Sequence, residues 1–461
     1  MNKLLTGIPI LAVVLACSLG QAVEQGPAPT EPLAAPTSTE SEVAPIPPTP
    51  AYIPPECAGL ALATLEPDVV LFPTAAPAPN APLSVEVQLE VLRGLEDAVL
   101  DQYLYRDFGG IDWSAAVAEV RAGVEAGMET ESFYQELQAL ITKLGDDHSY
   151  FQTPAELVAD QANLQGQVNF VGIGMLVLPR LERGVGTILA VFPDSPADLG
   201  GLRAHDNILA VDAIPIVEDG PPQQQLLRGP ACSQVVLTVQ TPGESARVAS
   251  FVRAALTGAL PIDARLVPTA DGSRVGYIFF PTFLDESIAG RVEQALVEFG
   301  PLDGLILDDR MNGGGLGSTA EGTLAFFTAG PLGYFVNSQG QTLLNIDPHP
   351  VHNSQTVPLV VLIGEDTVSY GEIFAGVLQD IGRAKLVGET TLGNVERLHA
   401  FDFADGSRAW LATERFDPLN SAPTWEANGV VPDVVVTAAW EDFTAEADPA
   451  VAAALLLLAQ P

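Results

Sequence analysis

Pro358-Leu-Val-Val-Leu-Ile-Gly-Glu-Asp-Thr-Val-Ser-Tyr-Gly-Glu-Ile-Phe-Ala375 is the stretch around which the chain is organised. Its apolar run, Leu359 to Ile363, predicts a strand buried on both faces. From Tyr370 the spacing turns helical, through Ile373, Val377, Leu378 and Ile381. Ser369 therefore stands where a strand becomes a helix. A hydroxyl at such a turn is placed for nucleophilic attack, beside the free N–H groups of a helix N-terminus. A serine there also suits the plain role of helix cap. This stretch alone leaves both readings open.

Outward from it, strands and helices alternate. Val275–Phe280 reads as a strand, Ile288–Phe299 as a helix and Gly304–Leu307 as a second buried strand. Asp308-Asp309-Arg310-Met311-Asn312-Gly313-Gly314-Gly315 follows, then a helix over Thr319–Phe327, and later the strand Lys385–Val387 with Gly388-Glu389-Thr390-Thr391-Leu392-Gly393 behind it. Such alternation predicts a βαβ core over 261–440, with functional loops after strand C-termini. The glycine run lets backbone approach a ligand, and it lacks the Lys-Ser/Thr of a phosphate-binding loop. An oxyanion hole is the better use, with N–H donors from Gly313 or Gly314 and from Tyr370.

Upstream, residues 84–160 are helical by pattern. One face carries Val87, Leu89, Leu92, Leu95, Val99 and Tyr103; a second segment runs from Trp113 through Val124, and a third over Glu131–Leu144. The last helix delivers Leu144-Gly145-Asp146-Asp147-His148-Ser149-Tyr150. A lone histidine is more often structural, so His148 gains meaning only if another residue needs a base. Residues 165–255 are different in kind, with short strands at Gly186–Val191, Asn207–Val211 and Val235–Gln240. The segments Asp194-Ser195-Pro196-Ala197, Gly201-Leu202, Asp206–Asp212 and Leu227-Arg228-Gly229-Pro230 fall between and around them. They resemble a PDZ domain, with a generic small β-barrel as the alternative. The PDZ resemblance implies that Phe170, Val171, Gly172, Ile173 and Gly174 present backbone N–H groups to a peptide C-terminus added as a strand.

Composition bounds the rest. The 461 residues carry 58 acidic and 20 basic side chains, a formal net charge of −38. That argues against nucleic acid, whose phosphates need Lys and Arg, and against docking on an anionic membrane by a basic patch. Lys3, the apolar segment Leu4–Leu15 and Val14-Leu15-Ala16-Cys17 resemble a bacterial lipoprotein signal over 1–17, with lipidation at Cys17; a plain secretory signal is the alternative. Either reading makes the chain exported, at the cell surface or in the periplasm, with membrane contact only through the anchor. Residues 18–56 are Pro-rich and read as a disordered tether. Cys57 and Cys232 remain, as a candidate disulfide or as two separate buried thiols. No cofactor is expected. His205, His349, His352 and His399 lack metal-ligand context, and no metal is expected.

The core motifs are Leu307-Asp308…Arg310…Asn312…Gly314-Gly315, Ser369…Glu372-Ile373…Ala375-Gly376…Leu378-Gln379-Asp380, Gly388-Glu389…Thr391 and Gly429-Val430…Pro432-Asp433. Together they resemble the carboxy-terminal processing (tail-specific) peptidase superfamily over residues 84–440. The resemblance implies an α/β (α+β) multidomain fold: an N-terminal helical bundle, a PDZ-like β domain and a βαβ-type, ClpP/crotonase-like core completed by N-terminal segments. The Ser/Lys branch of that family places its serine on Gly371 and its lysine on Asn394, so that dyad is absent here. A branch similar to the tricorn core uses Ser-x-Gly-Asp/Glu, a histidine ending the helical unit and a glutamate ahead of the Gly-Val-x-Pro-Asp motif. Those positions fall on Ser369, His148 and Glu426. The implied activity is a serine endopeptidase acting on polypeptides, recognising C-terminal regions through the PDZ domain. The alternative is an inactive PDZ-containing scaffold descended from the Ser/Lys proteases.

Overall fold

Leu359–Ile363 forms an inner strand of a six-stranded sheet in the computed structural model. The structure describes residues 50, 52–60, 63–64, 80–146, 148–160, 169–217, 224–257 and 260–460. The leader, Cys17 and most of the expected tether lie outside them. Strand order is Asp263–Val267, Val275–Phe279, Gly304–Asp308, Leu359–Ile363, Lys385–Gly388, Val434–Val435. Only the first pair is antiparallel. Three strands of the βαβ series are therefore buried at every position, because both faces are covered. Helices Ile288–Phe299, Gly317–Leu324 and Tyr370–Asp380 bury Val292, Leu296, Leu324, Phe374 and Leu378 into one core with Leu305, Leu307, Val361 and Ile363.

The apolar tail at 451–458 is part of helix Pro449–Leu458, which packs on three strands of this sheet. Its N-cap, Asp448, accepts from Arg310 Nη2 at 2.5 Å, and Arg310 Nε donates to Asp308 at 2.9 Å, all buried. The C-terminal helix is thereby tied to the loop that leaves the strand Gly304–Asp308.

A five-stranded antiparallel sheet, unread in the sequence, orders Gly340–Ile346, Gly330–Asn337, Arg408–Pro418 and Arg397–Asp402, with Tyr150–Gln152 also on Arg408–Pro418. Helices Val85–Gln102, Trp113–Glu125 and Thr130–Thr142 close a second core in which Phe133, Leu137 and Ile141 meet Leu411 and Ala412 of that sheet. The helical segment and the α/β core consequently form one compact unit, 75–170 with 256–461, whereas 171–255 belongs to another.

The second unit is a seven-stranded sheet running Ala63–Thr64, Ser233–Gln240, Asn207–Val211, Val185–Val191, Met175–Arg180, with Ile214–Pro215 and Arg247–Val252 at its sides. Ile188, Ile208, Val235, Leu237 and Phe251 fill its core. Cys57 and Cys232 are joined there as a disulfide, Cα to Cα 5.3 Å.

Candidate active site

Parallel strands present their C-terminal ends at one edge of a sheet, so the loops after Asp308, Ile363 and Gly388 converge. After Ile363 the turn is built by local polar contacts. Thr367 Oγ1 accepts from Gly364 N–H at 3.0 Å and donates to Asp309 O at 2.8 Å, and Val368 N–H donates to Asn312 O at 2.9 Å. The next residue, Ser369, has φ 57° and ψ −124°, a strained conformation for a side chain with a Cβ. Its N–H donates to Glu372 at 3.1 Å. The fully buried Glu372 also accepts from Thr391 Oγ1, Gly393 N–H at 2.7 Å and Asn394 N–H at 2.7 Å. Burial pushes its pKa up to about 7 against the pull of those donors. The 391–394 loop and the serine turn are thus stitched through one carboxylate. Gly371 has no room for the serine of the Ser/Lys branch, since a Cβ there would stand 2.7 Å from Asn312 O.

The glycine run abuts Ser369. A Cβ on Gly314 would lie 2.7 Å from Ser369 Cβ and 3.1 Å from Tyr370 N, and its φ is +82°. Asn312 holds the run, donating to Asp309 Oδ1 at 2.7 Å and accepting Gly314 N–H at 2.9 Å. That bond is a correction to the expected oxyanion donors: Gly314 N–H is already engaged. Among the described residues, Gly313 N–H and Tyr370 N–H have no acceptor, the latter because it opens the helix Tyr370–Asp380.

His148 stands beyond the third helix in a loop shaped by Asp146. Oδ1 of Asp146 accepts the N–H groups of His148, at 2.9 Å, and of Ser149, while Tyr103 donates to Oδ2 at 2.5 Å. Ser149 Oγ accepts Ala412 N–H at 2.9 Å, which fastens the loop to the antiparallel sheet. Nε2 of His148 lies 2.8 Å from Glu426 Oε1. Glu426 sits in the short helix Trp425–Asn428, anchored by Trp425 against Gly376 and Phe416, and its Oε2 accepts Val395 N–H at 2.8 Å. Burial opposes charge on the imidazole, but the Glu426 hydrogen bond and the charges of Glu426, Glu396 and Asp146 outweigh it and raise its pKa above the ordinary value. Among the described residues, no hydrogen bond joins His148 to Ser369 Oγ.

Glu396 was not anticipated. Its Oε2 lies 3.7 Å from His148 Nε2, and its Oε1 accepts from Tyr105 hydroxyl. Burial first, then the neighbouring charge of Glu426, pushes its pKa up to about 7. His148, Glu396 and Glu426 are also a set of side chains able to hold a metal ion, their ligand atoms within 4.8 Å of one another. Elsewhere His349 pairs with Glu293 at 3.1 Å on the surface, and His399 Nδ1 meets Thr413 Oγ1 at 2.6 Å.

In the other unit, Val171 to Gly174 lead into Met175–Arg180, the end strand of its sheet, whose outer edge has no strand beside it among the described residues. Ile173 is buried, and the carbonyls of Ile173 and Gly174 accept from Ala197 and Phe192 at 2.8 and 3.0 Å. Phe170 falls on the far side of the unit boundary.

Residues 274–436 match the model of peptidase family S41, and residues 187–241 that of a PDZ domain. The chain is 29% identical over 336 residues to a carboxyl-terminal-processing protease of Synechocystis, covering 71% of this chain and 77% of that one. A chloroplastic C-terminal processing peptidase of Tetradesmus obliquus is 28% identical over 368 residues, covering 75% of this chain and 76% of the relative. Among solved structures, a photosystem II D1 C-terminal processing protease matches at 25% identity with a TM-score of 0.52, covering 76% of this chain and 92% of its own. Residues 274–436 are thus a peptidase family S41 domain and residues 187–241 a PDZ domain, in a chain similar over most of its length to carboxyl-terminal-processing proteases, which supports a serine-type peptidase acting on polypeptides.

Proposed function

We propose that the chain is an exported endopeptidase using Ser369, His148 and Glu426 in place of the Ser/Lys pair. The observation that carries this reading is the 2.8 Å contact between His148 Nε2 and Glu426, 278 residues apart in sequence. It supplies an oriented imidazole in the unit that also holds the strained Ser369 turn. Ser369 Oγ would attack the peptide carbonyl while His148 Nδ1 takes its proton and returns it to the leaving amine. Glu426 holds the ring and stabilises the imidazolium. N–H groups of Gly313 and Tyr370 receive the oxyanion, and such a donor is worth about 3 kcal/mol in the transition state. Resting serine peptidases often have a loose nucleophile–base contact that tightens with substrate, which accommodates the open Ser369–His148 pair.

The PDZ unit, with its open sheet edge after Val171–Gly174, would take an extended C-terminal segment. The names of the relatives support C-terminal processing as the reaction. Export through the 1–17 leader, with Cys17 as lipid anchor, accords with a disulfide that needs an oxidising compartment. The second reading, a peptide-binding scaffold, is favoured by the absent His148–Ser369 hydrogen bond together with Gly371 and Asn394. A fluorophosphonate probe separates the two. Labelling is expected on Ser369, lost in Ser369→Ala and reduced at least about a thousandfold in His148→Ala, in line with other triads. Peptide hydrolysis that survives in Ser369→Ala overturns the proposal.

A further inference from the structure

A serine triad needs one carboxylate behind its histidine, and here there are two. Glu396 Oε2 has no hydrogen-bond partner, although its side chain is only 1% exposed. An unpartnered buried oxygen is costly, and this one is aimed at His148 Nε2 from 3.7 Å. The other oxygen of each carboxylate is held from behind: Tyr105 hydroxyl donates to Glu396 Oε1, and Val395 N–H to Glu426 Oε2 at 2.8 Å. Each thus turns its remaining oxygen toward the same imidazole nitrogen, with all three ligand atoms within 4.8 Å. Outer hydrogen bonds of this kind are what fix carboxylate ligands around a metal.

We propose that His148, Glu396 and Glu426 form a binding site for a divalent transition cation of the zinc class. One imidazole and two carboxylates, with a fourth position left to water, suit zinc's four-coordinate preference for nitrogen and oxygen. Calcium requires more oxygens than the cluster offers. A cation on Nε2 replaces the hydrogen bond to Glu426, so metal occupancy and proton relay exclude one another. That inhibitory consequence rests on the Ser369/His148/Glu426 reading; the site itself does not.

The test is calorimetric titration of the EDTA-stripped, desalted full chain with Zn²⁺ at one fixed pH, with peptide hydrolysis followed in parallel. One equivalent is expected to bind, with affinity at least about tenfold weaker in Glu396→Gln and in His148→Ala. Ser369→Ala is expected to bind as the unaltered chain does, which keeps the measurement independent of catalysis. Circular dichroism shows whether each variant folds. Should a ligand variant not fold, Co²⁺ added to the unaltered chain decides by its visible spectrum: intense tetrahedral bands support the site, and a weak six-coordinate spectrum overturns it. Equal affinity in Glu396→Gln, or only weak multi-site binding to the acidic surface in every protein, also overturns the site. If one equivalent binds through these residues while hydrolysis continues unchanged, the inhibitory role falls and the site stands. Hydrolysis surviving in Ser369→Ala is a separate failure, of the triad reading alone.

Discussion

Glu372 shows how much one residue can organise beneath the Ser369 turn. Its two oxygens take four donors, from Ser369, Thr391, Gly393 and Asn394. Glutamine keeps the size but turns an NH₂ group toward two of those donors. Glu372→Gln is therefore expected to lose about 1–3 kcal/mol for each donor left unpaired, read as a lower urea midpoint, and to slow turnover by loosening the Ser369 turn. The pH dependence follows from burial, which raises the folded-state pKa from 4.5 to about 7. A raised carboxyl pKa gives stability that is fully present below the unfolded value and is lost as pH rises through the folded one. The gap between the unaltered chain and Glu372→Gln should be widest below pH 4.5 and narrow toward pH 8. A gap that widens with pH would refute this role for Glu372. In the sequence Glu372 was visible only as a motif letter. Three of its four partners lie 19 to 22 residues downstream in a loop whose path no local pattern gives.

At the scale of elements, what could be read was whatever has a periodic buried face. Leu359–Ile363, Asn207–Val211 and Ile288–Phe299 fall where their apolar pattern put them, because each meets a core. The antiparallel sheet escaped for the converse reason: Gly340–Ile346 buries only Leu344 and Ile346, and Arg397–Asp402 buries none of its residues, so neither carries a clear alternation. Glu396 was missed with it, at the entrance to that second strand. The glycine run was legible because a left-handed turn against a neighbouring backbone has few other solutions. It also gives a test. Gly314→Ala places a Cβ 2.7 Å from Ser369 Cβ and 2.8 Å from Val368 O, at a φ of +82°. Both neighbours belong to the Ser369 turn and cannot yield without moving it. Stability should drop by about 1–3 kcal/mol, and kcat should fall more than KM rises. Full turnover in Gly314→Ala would show that the run and the serine turn are not coupled.

For the whole molecule, the two compact units close their own cores, and the disulfide belongs to only one of them. Cys57 and Cys232, 175 residues apart, lie in the PDZ-containing unit, where the bond holds the segment leading to Ala63–Thr64 near the strand Ser233–Gln240. All four tryptophans, Trp113, Trp410, Trp425 and Trp440, lie in the peptidase unit. Tryptophan fluorescence therefore reports the peptidase unit by itself, while hydrogen exchange at Val185–Val191 reports the sheet of the PDZ unit. A cross-link acts chiefly by restricting the unfolded chain, and losing a native one typically costs about 2–5 kcal/mol. Replacing both cysteines by serine should lower the protection of Val185–Val191 by that amount and leave the tryptophan transition in urea where it was. The same result is expected on reduction of the unaltered chain, since the serine pair and the dithiol both lack the cross-link. An equal shift in the tryptophan transition would mean that the units unfold as one, and that the disulfide stabilises the peptidase unit as well as the PDZ sheet.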